Sequence, residues 1–334
     1  MNYWIPSLKK IGLVAIGRNE GKRLQQCLKS VLGQVEVIVY VDSGSTDGSV
    51  ELARSLGVEA IELDLSTPFT AARARNTGFA RLLEIDPQLE FVQFVDGDCE
   101  VVEGWIDAYQ ELVAQPSVAV VCGRRRERYP DASIYNRLCD LEWDTPIGET
   151  KACGGDAMMR VAAFQQVGGF NPTLIAGEEP ELCLRLRQKG WKILRLDAEM
   201  TIHDAQMEKF SQWWKRAVRA GHAYAEGAWL HGAEPEHHWV KESQSIWFWG
   251  LLPLVTFGLI WPSHGWSLLL LAGYPVMTYK IYRYTQTRDL KPVDSRIYTL
   301  FCMLGKFPNL LGQLKFHLNQ RLGRQNKLIE YKEL

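Results

Sequence analysis

The sequence lacks a dominant charge: 38 Lys and Arg stand against 39 Asp and Glu, a formal net charge of −1 over 334 residues. A chain without a basic field has no global attraction for nucleic acid, and none is expected as a partner. Paired cysteine spacing is missing too. The seven cysteines (Cys27, Cys99, Cys122, Cys139, Cys153, Cys183, Cys302) are odd in number and scattered, with none spaced Cys-x-x-Cys. That is the pattern of reduced packing thiols in a cytosolic compartment. The opening Met-Asn-Tyr-Trp-Ile-Pro-Ser-Leu-Lys-Lys has no basic region followed by an apolar core, so no signal peptide is expected. Internal repeats and low-complexity tracts are absent from the sequence. So is a glycine-rich N-terminal loop with a basic phosphate clamp, which weighs against a nucleotidyltransferase.

What is present is a succession of apolar runs that stop at residues suited to ligands. Residues 11–16 read as a buried strand ending at Gly17-Arg18-Asn19-Glu20-Gly21, and Leu24, Cys27, Leu28, Val31 and Leu32 follow at helical spacing. A second β-branched run, Val35 to Val41, completes a βαβ unit with parallel strands. It ends in Asp42-Ser43-Gly44-Ser45-Thr46-Asp47-Gly48-Ser49, where Thr46 or Asp47 suits the cap of a helix from about Val50 to Leu56. After a short strand near 58–63, Arg73, Arg75 and Asn76 lie on an alanine-rich helical stretch from which they can reach a diphosphate. Residues 91–95 then form a third buried strand that stops at Asp96-Gly97-Asp98. An isolated pair of this kind is most often a solvated turn. Three strand ends converging on one sheet edge, where open α/β sheets bind ligands, favour a site instead. Two carboxylates this close repel each other unless a cation lies between them, which implies a hard divalent metal and a phosphate-bearing ligand.

Together, Glu20, Asp42 to Asp47, the Arg75-Asn76-x-Gly78 helix and Asp96-Gly97-Asp98 resemble the nucleotide-sugar-binding half of a family 2 glycosyltransferase with the GT-A fold, of the membrane-associated bacterial polysaccharide or glycolipid type. The resemblance implies an α/β, Rossmann-like domain with a mostly parallel sheet. It implies that Glu20, Asp42, Asp47, Arg73, Arg75, Asn76 and Asp96 line the donor site. Asp42 and its neighbours would meet base and ribose, Asp96 the ribose side, and Asp98 a Mg²⁺ or Mn²⁺ bridging the diphosphate. A UDP-sugar donor is expected. The family often has paired aspartates after the second strand, and Ser43 stands in the second place here, which leaves the base open.

Downstream, Ala152-Cys153-Gly154-Gly155-Asp156 and the Gly168-Gly169-Phe170 loop resemble the family's acceptor side. In the family a Gly-Glu-Asp precedes a helix and its Asp is the catalytic base. Gly177-Glu178-Glu179-Pro180 places Glu179 there, with Glu178 as local competitor and Pro180 opening the helix. His203 stands where the family often has a histidine on metal or diphosphate. Residues 123–143 read as a polar excursion whose Arg124-Arg125-Arg126 suits either solvent or a phosphate or lipid headgroup. The implied reaction is inverting transfer to a hydroxyl of a lipid-linked glycan or glycolipid. Its rivals are transfer to a polyprenyl phosphate and a catalytically dead membrane-bound scaffold.

Residues 246–279 carry no charge apart from His264, are broken by Pro262-Ser263-His264-Gly265, and are flanked by basic residues on both sides. The stretch is long for one span and short for two, and is expected to form a helical hairpin, re-entrant or just spanning, with both ends in the cytoplasm. From Lys280 on, eleven Lys and Arg face four Asp and Glu, and 297–318 reads as an interfacial amphipathic tail. The expected organisation is a GT-A domain over 1–240, with a nucleotide-sugar half (1–100) and an acceptor half (101–240). A membrane-associated helical region over 241–334 would then hold it at the cytoplasmic face of the inner membrane.

Overall fold

The computed structural model describes residues 10–324 and 329, so residues 1–9, most of the stretch read for a signal peptide, lie outside the described residues. In chain order it runs β1 (Ile11–Gly17), α1 (Lys22–Val31), β2 (Val37–Asp42), α2 (Ser49–Ser55), β3 (Glu59–Glu62), α3 (Ala71–Ile85) and β4 (Phe91–Asp96). Next come β5 (Cys99–Val101), α4 (Tyr109–Ala114), β6 (Val118–Glu127), α5 (Ile134–Glu142), β7 (Gly148–Thr150), β8 (Ala157–Arg160), α6 (Val161–Gln166), α7 (Glu178–Gln188) and β9 (Lys192–His203). Five helices follow: α8 (Phe210–His231), α9 (Val240–Gly258), α10 (Gly273–Gln286), α11 (Pro292–Leu304) and α12 (Lys306–Arg321). The chain divides into two compact units, one reaching Arg128 and resuming over Glu142–Ala205, the other taking Tyr129–Leu141 and the described residues from Gln206 to Ile329. The boundary expected near residue 240 thus falls inside the second unit.

The first unit is a sheet in the order β3-β2-β1-β4-β8-β6-β9-β5, with β7 on β9. Strands β1 and β4 are buried along nearly their whole length, as continuous apolar runs between layers should be. β3, β2, β1 and β4 run parallel, the product of successive βαβ crossovers. In the other half β8 is antiparallel to β4 and β6, and β5 and β7 are antiparallel to β9, while β6 and β9 are parallel. The sheet is therefore mixed and not mostly parallel. Only two residues separate β4 from β5, far fewer than a parallel crossover requires. Helix α3 lies close on the sheet because Gly78 has no side chain: a Cβ there would stand 2.4 Å from Val14 Cγ1.

Several boundaries differ from expectation. β6 continues through the arginine run to Glu127, where a polar loop was expected, and is laddered to β9 with register shifts. β9 likewise runs on to His203. Helix α7 starts at Glu178, so Pro180 is its third residue, still in the turn whose N–H groups lack intrahelical acceptors.

In the second unit α8 packs against α12, and α9 against both, around Val218, Ile246, Leu310 and Phe316. The break at 262–265 is a turn with His264 and Gly265 at positive φ, and a 3₁₀ segment (Trp266–Ala272) leads into α10. The tail expected as one amphipathic helix is two, α11 and α12, parted at Gly305. Among the described residues no helix is long and apolar enough to cross a membrane, which removes the spanning form of the hairpin. Helix α9 has only 19 residues, and they open with Val240-Lys241-Glu242-Ser243-Gln244.

Candidate functional site

The ends of β1, β2 and β4 present three loops along one edge of the first unit. Asp42 ends β2, and its carboxylate is turned into its own loop: Oδ2 accepts from the Gly44 and Ser45 N–H groups (2.8 and 2.7 Å), and Oδ1 from the Tyr40 and Ser45 hydroxyls (2.8 and 2.5 Å). Asn19 stitches this loop to the one after β1, accepting from Thr46 N while its own N–H donates to Ser45 Oγ. Asp47 accepts from the N–H and hydroxyl of Ser49 at the start of α2, whose cap position is Gly48. Glu20 pairs with Arg23 at 2.7 Å.

Asp96, at the end of β4, meets the acceptor side of the unit through the buried Arg75 and the half-buried Arg125. Arg75, on α3, donates to Asp96 Oδ1 at 2.8 Å and pairs with both Glu178 and Glu179 at 3.0 Å. Arg125, on β6, pairs with Asp96 Oδ2 at 3.2 Å and with the fully buried Asp156 at 2.8 Å, its guanidinium over the Trp143 ring. Asp156 also accepts from the Asp96 N–H and the Thr201 hydroxyl. On the other side of Gly97, Asp98 Oδ2 lies 3.1 Å from His203 Nε2, and Glu127 faces His203 Nδ1 at 3.6 Å. The structure thus brings Asp96, Arg75 and Glu179 together, and Asp98 with His203 across Gly97. Glu20, Asp42 and Asp47 make loop contacts of their own, and Arg73 and Asn76 also bond away from this cluster. Arg73 donates to the carbonyls of Asp64, Thr67 and Pro68, and Asn76 clamps both backbone groups of Phe170.

Six carboxylates (Asp96, Asp98, Glu127, Asp156, Glu178, Glu179) thus face two guanidiniums and one imidazole. The excess negative charge has visible effects. Burial and the neighbouring Glu178 charge push the Glu179 carboxyl up to about 7 against the pull of Arg75. Burial raises Asp96, but the Arg75 and Arg125 guanidiniums outweigh it and leave its carboxyl below the usual range. Burial lowers His203, and the Asp98 carboxylate more than restores it, so the imidazole ends above its ordinary value.

The same excess suits a divalent cation. Asp98, Cys99 and His203 bring potential ligand atoms within 4.8 Å of one another. Burial and the adjacent carboxylates hold the Cys99 thiol far up its range and therefore protonated. That leaves one carboxylate and one imidazole, a donor set that fits a divalent cation such as Mn²⁺ or Mg²⁺. Gly155 lies against the same cluster: a Cβ there would stand 2.5 Å from Arg75 Nη2, 3.0 Å from Asp96 Oδ2 and 3.1 Å from Glu179 Oε1.

Sequence reading missed Arg125, Asp156, Glu127 and Trp143. Alternation along a strand carries the signal for Arg125, because the middle arginine of three points opposite to its neighbours. Arg124 and Arg126 indeed pair elsewhere, with Asp144 at 3.7 Å and Glu199 at 2.7 Å, so the run is not a free headgroup clamp.

The family model for glycosyl transferase family 2 matches residues 14–167, and one described as the N-terminal domain of galactosyltransferase matches 139–209. Over 212 residues the chain is 28% identical to the Pre-mycofactocin glycosyltransferase of Mycobacterium tuberculosis, a match that takes in 60% of this chain and 43% of that one. It is 25% identical to Glycosyltransferase AglE of Haloferax volcanii, covering 61% of this chain and 69% of the relative. It thus spans less than half of the first relative's length. The mannosyltransferase PcManGT from Pyrobaculum calidifontis, solved with GDP-Man and Mn²⁺, superposes with a TM-score of 0.58 at 17% identity over 91% of this chain and 87% of its own, a likeness of fold. The first model takes in β1 to β8 from residue 14 and the second reaches β9, on a GT-A-like mixed sheet, and the chain carries a glycosyltransferase family 2 domain over residues 14–167.

Proposed function

We propose that this chain is an inverting, metal-dependent glycosyltransferase that moves a sugar from a nucleoside-diphosphate donor to a hydroxyl, with Glu179 as base. One observation carries the reading: Arg75 holds Asp96 and Glu179 together, each within 3.0 Å of its guanidinium, so a donor-side carboxylate and the base share one clamp. A base that titrates near neutrality removes an acceptor proton most effectively at physiological pH. Asp98 and His203 would hold a divalent cation, which when bound would stabilise the charge on a departing diphosphate. Asp96, held by two guanidiniums, stays ionised toward the donor. Single displacement with a base on the acceptor inverts configuration.

Replacing Glu179 with Gln tests the assignment. Donor binding by calorimetry should persist while transfer falls by about 10²- to 10⁴-fold, the usual contribution of a positioned base. Transfer near the wild-type rate would remove Glu179 from the role. A polyprenyl-phosphate acceptor, already anionic, gains no support from Arg124–Arg126, since all three arginines have carboxylate partners. The proposed donor base, uridine, rests on the family resemblance alone. A response confined to guanosine-linked sugars in a thermal-stabilisation screen would replace it.

The second unit is proposed to sit on the cytoplasmic face of a membrane carrying a lipid-linked glycan or glycolipid acceptor. Trp261 and Trp266, at the turn after α9, are 90% and 74% exposed, and Phe248, Leu254 and Phe257 of α9 and Leu269 of the 3₁₀ segment are exposed as well. Exposed apolar side chains of this kind, with no helix among the described residues long and apolar enough to span, suit entry into one leaflet, with tryptophans at the headgroup level.

A further inference from the structure

Helix α12 is apolar on two faces. Pro308, Leu310, Gly312, Gln313 and Phe316 are buried, yet Leu311, Leu314 and Leu318, one to two turns apart on another face, are exposed. These leucines form one side of an open cleft of about 300 Å³ whose other side is Trp214 and Val218 of α8, with Ile329 also on its wall. Lys215 and Lys315 complete the lining. Both are exposed, and neither has an ion-pair partner among the described residues. The two helices that wall the cleft carry more cations than acids: α12 has Lys306, Lys315 and Arg321 with no acid, and α8 has Lys215, Arg216 and Arg219 against Glu226.

We infer that this cleft is a binding site for a single anionic phospholipid, its acyl chain lying on the leucines and Trp214 and its phosphate meeting Lys215 and Lys315. An aliphatic floor excludes a sugar or nucleotide as the principal contact, and a paired cationic rim excludes a neutral chain as the preferred ligand. The volume admits one chain, at the lower end of the range for small-molecule pockets. Lysine stems lie along apolar surface while their ammonium groups stay at the phosphate level. The site deepens the membrane-facing reading of the second unit and rests on it. A diffuse interface needs only net positive charge, whereas a cleft holds one lipid and saturates.

The test uses the full chain and dihexanoyl phosphatidylglycerol below its micellar concentration, titrated calorimetrically, with dihexanoyl phosphatidylcholine as the neutral comparison. Saturable binding of one phosphatidylglycerol per chain is expected, weaker for phosphatidylcholine. The Lys215→Gln/Lys315→Gln double variant should bind about 30-fold more weakly, from roughly 1 kcal/mol for each lysine at an anionic surface. Lys215→Arg/Lys315→Arg should restore it, and melting by circular dichroism checks that both variants fold. Absence of saturable binding, as when a second copy or the chain beyond Arg324 fills the cleft, would overturn the site, and so would equal affinity in the Gln variant. Flotation with phosphatidylglycerol vesicles separates the two readings. A wild-type chain that floats but shows no one-to-one binding loses the cleft alone, and one that does not float loses the membrane reading.

Discussion

Arg75 shows how one residue can serve two halves of a site. Its guanidinium is buried and its two terminal nitrogens pair with Asp96, Glu178 and Glu179, so it helps fix the base where the first turn of α7 places it. Glu178 matters by contrast through its charge, which helps burial raise Glu179 to about 7. A base works deprotonated, so kcat/KM should rise with pH and level off above about 7. Removing the neighbouring charge with Glu178→Gln should move this limb toward acid, and a pH profile of transfer would show it. An unchanged limb would mean that Glu179 does not control the rate. Gly155 supplies a second check at this scale. Gly155→Ala forces a methyl group against Arg75, Asp96 and Glu179, and misplacement of reacting groups by about 1 Å costs on the order of 10²-fold. Transfer should fall by that amount while the far-ultraviolet circular dichroism spectrum is kept.

At the scale of elements, the first half of the domain is legible because each strand is an apolar run and each strand end is polar. β1, β2 and β4 appear where the residues place them, and Asp96, Asp98, Arg75 and Glu179 meet in space. The second half is harder to read, for a physical reason. Strand β6 spends its polar half inside the unit, with Arg125 and Glu127 neutralised by partners from distant elements, and no local pattern announces such pairing. Asn76 and Arg73 mislead in the opposite sense, since a polar side chain on a helix near the site can equally fasten a loop backbone. The β6 interpretation has its own test. Arg125→Gln leaves the buried Asp156 carboxylate without its guanidinium, a loss of about 3–5 kcal/mol for a broken buried pair. The chemical-denaturation midpoint should drop accordingly, whereas Arg126→Gln, whose pair with Glu199 lies at the surface, should change stability by less than about 1 kcal/mol.

At the scale of the whole molecule, two units divide the tasks, chemistry in the mixed sheet and the proposed contact with lipid in the helices. The uncharged stretch and its central break were legible, but the membrane-anchored hairpin expected from them is not supported, because composition alone does not say where a helix begins. Helix α9 starts among polar residues at Val240 and contains Pro253, so its apolar part is too short to span. Tryptophans at the turn should therefore enter the headgroup region: brominated phospholipid vesicles should quench part of the tryptophan emission, and the Trp261→Phe/Trp266→Phe variant should lose that part. The central claim concerns the sheet unit, and metal-dependent turnover of the donor tests it most directly. Nucleotide-sugar hydrolysis or transfer should require Mn²⁺ or Mg²⁺ and collapse in Asp98→Asn while the protein remains folded. Turnover that is independent of metal and unchanged by Asp98→Asn would contradict the account.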